Sequence, residues 1–122
     1  MTEPPNEEPT DLPADPPAEL VQGTLDMLVL QTLALEPLHG FGIIQRIEQI
    51  SRGIFRVNAG TLFPSLRRLE RAGSIRSDWR STENNRRARY YRLTRTGRAQ
   101  LAAERREWGR QIAAIARILE ST

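Results

Sequence analysis

At 122 residues with 39% apolar side chains, the chain is the size of one domain with a single modest core. It has no cysteine and one histidine, which excludes a disulfide framework, a Cys/His zinc site and a cysteine nucleophile. The net charge of +3 conceals a division: residues 1–20 hold six acids and no base, so residues 21–122 set 18 bases against the remaining nine acids, about +9, which suits DNA, an anionic membrane surface or an acidic partner. Every base is arginine, whose planar fork grips phosphates and guanine edges with paired hydrogen bonds; GC-rich coding produces the same lysine-free composition.

Six of the eight prolines fall in the first 17 residues among acids, with almost nothing to bury, so residues 1–19 are expected to be a disordered tail. Two readings fit its charge, a solubilising leader or a shield over the basic surface. No apolar run approaches the roughly 20 residues that span a bilayer, and the first residues are acidic where a secretory signal is basic, so no membrane partner and a cytoplasmic home are expected.

Order is expected from about Leu20. Val21, Leu25, Met27, Leu28, Val29, Leu30, Leu33 and Leu35 go most of the way round a helix, which predicts burial on all sides, part of it by a second subunit. Pro37 ends that pattern, and a second helix is expected from His39 or Gly40 to about Ser51, with Phe41, Ile43, Ile44, Ile47 and Ile50 inward and His39 as a local hydrogen-bonding residue. A short extended link at 54–57 leads to Asn58, an N-cap for a third helix through about Ala72 with Ala59, Leu62, Leu66 and Leu69 inward and Gly73 as its stop. Pro64 costs that helix a backbone donor, and with Gly60 four residues earlier it predicts a distorted first turn rather than a break.

Ile75 to Ser81 alternates as a half-buried strand, with Ile75, Ser77 and Trp79 on one face. A polar tip at 82–87 separates it from the β-prone Arg89–Leu93, forming a hairpin. Thr94 caps a final helix over 95–120, near 40 Å long at about 1.5 Å per residue, with Leu101, Trp108, Ile112, Ile115 and Leu119 along one side. A stripe that long exceeds what so small a body can cover and predicts pairing with its twin.

The fold class is therefore mainly α with a small β-hairpin, a winged helix-turn-helix over 20–94 followed by a dimerisation helix at 95–122. In such a fold the third helix enters the DNA major groove and the hairpin touches flanking backbone or minor groove. Thr61, Ser65, Arg67, Arg68 and Arg71 lie opposite the leucine stripe of the third helix, and the hairpin from Arg76 to Arg92 carries six arginines against Asp78 and Glu83. The competing reading is a winged-helix protein interaction module whose arginines only solvate it. With no nucleophile–base pair, phosphate-cradling glycine loop or metal cluster, neither an enzyme nor a cofactor is expected.

The blocks Gly23-Thr-Leu-Asp-Met-Leu, His39-Gly-Phe-Gly-Ile, Gly60-Thr-Leu-Phe-Pro-Ser-Leu-Arg-Arg-Leu-Glu-Arg-Ala-Gly, Trp79 and Arg86-Arg-Ala-Arg-Tyr-Tyr-Arg-Leu-Thr-Arg-Thr-Gly closely resemble, in order, the signature blocks of the PadR family of regulators. The resemblance runs from about Leu20 to Leu119 and, with one C-terminal helix, is to the short branch of that family. It implies a homodimer held by the first and last helices through Leu25, Leu28, Leu101, Trp108, Ile112, Ile115 and Leu119. It further implies binding of double-stranded DNA by Thr61, Phe63, Pro64, Ser65, Arg67, Arg68, Arg71, Arg86, Arg87 and Arg89, with repression usually relieved by a small molecule. Phe63 departs from the tyrosine typical of the family, which removes one possible phosphate hydrogen bond. Trp108 has two readings, an interface core residue or, as in multidrug-binding relatives, a platform for a flat aromatic effector.

Overall fold

The computed structural model describes residues 22–121, so the expected tail at 1–19, with Leu20 and Val21, lies outside the described residues. In chain order the elements are α1 (Gln22–Leu35), β1 (Leu38–His39), α2 (Gly40–Ile50), α3 (Ala59–Arg71), β2 (Ile75–Ser81), β3 (Arg87–Leu93) and α4 (Arg95–Glu120). Leu25, Val29, Leu30 and Leu33 of α1 are all buried, and α1 packs on α2, α3, α4 and β3. Its apolar surround thus places it at the centre. Ile43 and Ile47 of α2, Leu62, Leu66 and Leu69 of α3, Ile75 of β2, Tyr91 and Leu93 of β3, and Leu101 of α4 complete one core. Leu25 and Leu101, expected at a subunit interface, are consumed by this core; an apolar stripe does not say which surface will cover it.

Local chemistry sets the helix ends. His39 Nδ1 accepts the Gly42 N–H at 3.0 Å and so caps α2. Ile43 and Ile47 face inward and Ile44 is half-buried against the core, but Phe41 and Ile50, expected inward, are 68% and 61% exposed. The short α2 presents one face to α1 and α3, and these two residues lie off it. The Thr94 hydroxyl accepts the Gly97 N–H at 3.0 Å to start α4, and lies 2.6 and 2.9 Å from the Gly73 and Ser74 carbonyl oxygens, to which it donates. One side chain therefore caps a helix and ties the end of β3 to the corner between α3 and β2.

The sheet differs from a plain hairpin. β3 pairs along its length with β2 in antiparallel register, Ile75 opposite Leu93 through Ser81 opposite Arg87, and its other edge takes β1, with Leu38 opposite Tyr91 and His39 opposite Tyr90. The edge that a hairpin leaves open is thus partly closed by the residues that begin α2. β3 also starts at Arg87, two residues before the expected strand.

Gly97 is buried where α4 passes this corner, and a β-carbon there would collide with the Ser74 carbonyl and approach Leu93 Cδ1 to 2.8 Å. Gly97→Ala is expected to destabilise the protein by ~2 kcal/mol through overpacking, a fall in Tm of about 10 °C. Gly109→Ala, with nothing within 4 Å, should not lower Tm, and equal melting of the two variants would show that this corner is free to relax.

Candidate nucleic-acid interface

Both ends of α3 are held by its own sequence. Asn58 Oδ1 accepts the Thr61 N–H at 2.9 Å, and at the far end the Ser74 N–H reaches the Leu69 carbonyl at 2.9 Å while the Gly73 N–H reaches that of Glu70 at 3.0 Å. That double closure needs a left-handed residue, which Gly73 supplies with φ +80°. Pro64 sits in the middle of α3 without ending it; the missing N–H is the one that would serve the carbonyl of Gly60, an exposed position. The expected distortion of the first turn therefore does not interrupt the helix.

Around α3, Leu62, Ser65, Leu66 and Leu69 face the core, whereas Thr61, Arg67 and Arg71 are exposed. Ser65, expected to face DNA, is instead fully buried and donates to Asp26 Oδ1 of α1 at 2.5 Å. The same oxygen accepts Arg68 Nη2 at 2.9 Å, so Arg68 is tied to α1 rather than free on the outer face. Phe63 is half-buried with its ring against α2: a β-carbon at Gly40 would lie 2.6 Å from its Cζ. A side chain at position 40 would require this ring to move. Pro64 is half-buried beside it in sequence.

The hairpin is built from arginine and aromatic rings. The guanidinium groups of Arg87 and Arg89 lie 5.6 and 5.8 Å from the Trp79 ring centre, and that of Arg80 lies 5.5 Å from Tyr90 on the other face. Trp79 stays more than half exposed while stacking with its neighbours. Arg89 Nε donates to Ser77 Oγ at 2.9 Å and Ser77 donates to Glu70 Oε2 at 2.7 Å, a polar chain from β3 through β2 to α3. Burial pushes the Tyr91 phenol above its ordinary value, with Arg89 opposing. Arg86, Arg87 and Arg89 remain exposed, and a groove of about 500 Å³ runs between the hairpin tip and the ends of α2 and α3, bordered by Phe41, Phe63, Arg86 and Arg89.

The remaining expected residues belong to α1 and α4. Leu28 is half-buried against the core, whereas Trp108, Ile112, Ile115 and Leu119 are exposed along α4, together with Ile118, which the sequence reading passed over. Trp108 borders a cavity of about 330 Å³ between α1 and α4, with Gly23, Thr24, Met27, Glu104, Glu107 and Gln111. Hydrogen bonds from Gln111 at 3.1 Å and Arg110 at 2.6 Å hold the Glu107 carboxylate below its ordinary range. Glu104 Oε1 is buried without a partner among the described residues. Sequence reasoning missed Asp26 and Glu70, acids whose roles depend on a distant element, and Glu104, which accepts from Gln100 on its own helix at 2.8 Å; the one available signal was Asp26, the single acid in α1.

The model of the family described as "Transcriptional regulator PadR-like family" matches residues 29–103. The chain is 36% identical over 88 residues to the transcriptional regulator Rv3488 of Mycobacterium tuberculosis, covering 72% of this chain and 78% of that protein. Among solved structures it is similar to a PadR family transcriptional regulator from Eggerthella lenta, with 31% identity, TM-score 0.72 and coverage of 83% and 86% of the two chains. It is also similar to a transcriptional regulator from Clostridium thermocellum, with 25% identity, TM-score 0.74 and coverage of 81% and 96%.

Removing the centre of the polar chain tests whether it holds the hairpin. Ser77→Ala is expected to cost about 1 kcal/mol and to speed amide exchange in β2 and β3 beyond residue 77 while leaving α1 protected. Exchange unchanged across both strands would mean that the Trp79 stack alone suffices.

Proposed function

Because the chain belongs to the PadR-like family of transcriptional regulators and is not an enzyme, we propose that it is a dimeric repressor that occupies an inverted-repeat operator and is released from it by a small aromatic effector. The observation that carries the DNA contacts is that both basic elements expose their arginines, Arg67 and Arg71 on α3 and Arg86, Arg87 and Arg89 on the hairpin, with the hairpin arginines bordering a groove that Phe63 of α3 also lines. α3 enters the major groove, where Thr61 and Arg67 read base edges and Arg71 holds phosphate; Phe63 and Pro64 shape the entry, and the hairpin arginines grip the flanking backbone. Ser65 and Arg68 take no part, being occupied by Asp26.

The dimer is supported by the exposed apolar residues of α4, Trp108, Ile112, Ile115, Ile118 and Leu119, which a monomer leaves in water. In this reading residues 20–94 are the DNA-binding unit and 95–122 the dimerising helix, and two copies of α3 lie about 34 Å apart, one turn of DNA. The effector seats against Trp108 in the cavity between α1 and α4, where Glu104 and Glu107 line the wall and favour a ligand carrying positive charge.

Titration of the protein against the duplex upstream of its own gene and a scrambled duplex, at two salt concentrations, tests the first part. Replacing Arg86 and Arg87 by alanine is expected to weaken both duplexes alike and flatten the salt dependence by about one unit of log–log slope per lost phosphate contact. Thr61→Ala or Arg67→Ala should lower the preference for the upstream duplex by ~1–3 kcal/mol. Equal weak binding to both duplexes, unaltered by these changes, would favour a protein interaction module.

Ile112→Glu should yield a monomer in sedimentation; a dimer that survives it would move the interface off α4. With Trp79→Phe, Trp108 is the sole indole, and planar aromatic cations should quench its emission. No quenching across a broad panel would leave Trp108 as an interface residue alone.

A further inference from the structure

We propose that Asp26 is a specificity-determining residue, which withholds Arg68 from DNA phosphates and fixes the angle at which α3 presents its base-reading side chains. The inference rests on the assignment of α3 to the major groove. Asp26 belongs to α1, not to either basic element, and is mostly buried; its Oδ1 receives both Ser65 Oγ at 2.5 Å and Arg68 Nη2 at 2.9 Å. Ser65 and Arg68 are three residues apart, so they lie on one side of α3 about one turn apart, and two bonds to one carboxylate oppose rolling of the helix about its axis.

Arg68 is only partly exposed, and its Nε is buried with no partner among the described residues, so one edge of the guanidinium points into the protein. Arg67 and Arg71 on the same helix make no ion pair among the described residues. One carboxylate thus divides the arginines of α3 into two that are free to meet DNA and one that is not. The physical consequence concerns discrimination. A cation that reaches a phosphate strengthens binding to every sequence alike, whereas readout of bases depends on side chains held at fixed positions. Neutralising Asp26 releases a cation that adds affinity without information and loosens the helix that carries the information.

The experiment uses the full chain, the upstream duplex and a scrambled duplex of the same composition. Asp26→Asn keeps the shape and is expected to tighten binding to the scrambled duplex about threefold, steepen its salt dependence by about one unit of slope and reduce preference for the upstream duplex about tenfold. A purely structural loss would weaken both duplexes and leave the slope alone. Arg68→Gln by itself should leave the slope unchanged, and added to Asp26→Asn it should cancel the gain on scrambled DNA. Since Arg68 lies partly at the surface, that variant keeps the test decisive where Asp26→Asn fails to fold.

The proposal is overturned where Arg68→Gln alone flattens the slope as loss of Arg86 or Arg87 does, or where Asp26→Asn weakens both duplexes equally. Should Thr61→Ala and Arg67→Ala also leave preference intact, the assignment of α3 falls and the proposal with it. Preference lost in those two variants but not in Asp26→Asn overturns the proposal alone.

Discussion

The structure depends on a helix that has almost no side it can show to water. α1 is enclosed by α2, α3, β3 and α4, and each of those elements supplies its buried leucines, isoleucines or tyrosine to the same core. Full burial of a leucine contributes on the order of 2 kcal/mol, so Leu25, Val29, Leu30 and Leu33 together make the placement of α1 a major contribution to the stability of the fold. Its one buried hydroxyl, Thr32, is satisfied within the helix by donating to the Leu28 carbonyl at 2.8 Å. The central helix is therefore bonded to its neighbours through few polar side chains, chiefly Asp26, with Gln31 at a longer contact to Arg105.

Around that apolar centre, direction is set by a few polar contacts. Hydrophobic burial is non-directional and leaves a surface helix some freedom to roll or slide, whereas hydrogen bonds depend on angle and distance. Three such contacts act on the basic surface: Asp26 on α3, Glu70 through Ser77 to Arg89 between α3 and the hairpin, and Thr94 at the corner where β3 passes into α4. Two of the nine acids outside the N-terminal segment are thereby spent on orienting arginines or the strands that carry them, while Arg67 and Arg71 of α3 and Arg86 and Arg87 of the hairpin stay exposed.

Much of this was legible in the sequence where the chemistry is local. The caps at Asn58 and Thr94, the stop at Gly73 and the span of α4 follow from side chains bonding backbone within four residues, and all stand where the sequence puts them. What depends on distant partners was not legible. β1 is two residues long and exists because Tyr90 and Tyr91 lie alongside it fifty residues later. Ser65 reads as polar and therefore outward; only the position of Asp26 on another helix makes its burial tolerable. Leu25 and Leu101 read as stripe residues like Ile112 and Ile115, and the difference between core and open surface comes from where α4 leaves the body.

That departure has a mechanical consequence. Gly97 and Leu101 are buried, Arg105 reaches Gln31 of α1 at 3.4 Å, and from there to Ile115 every α4 residue is exposed. The apolar positions 108, 112, 115 and 119 step by four, three and four, the spacing of a helix that pairs along its length. In the proposed dimer the same helix that joins the two copies therefore forms one wall of the cavity at Trp108, and the opposing wall is α1 at Gly23, Thr24 and Met27. Asp26 stands within that turn of α1, so the cavity proposed for the effector and the brace on α3 share one short length of helix. An effector that shifts this turn must alter the brace, and by reciprocity DNA that needs the brace intact must resist the effector by the same factor, for which a coupling of about 1–3 kcal/mol is the usual scale. Under the proposed function, control of DNA binding would require no large motion, only two ligands that prefer different positions of one helical turn.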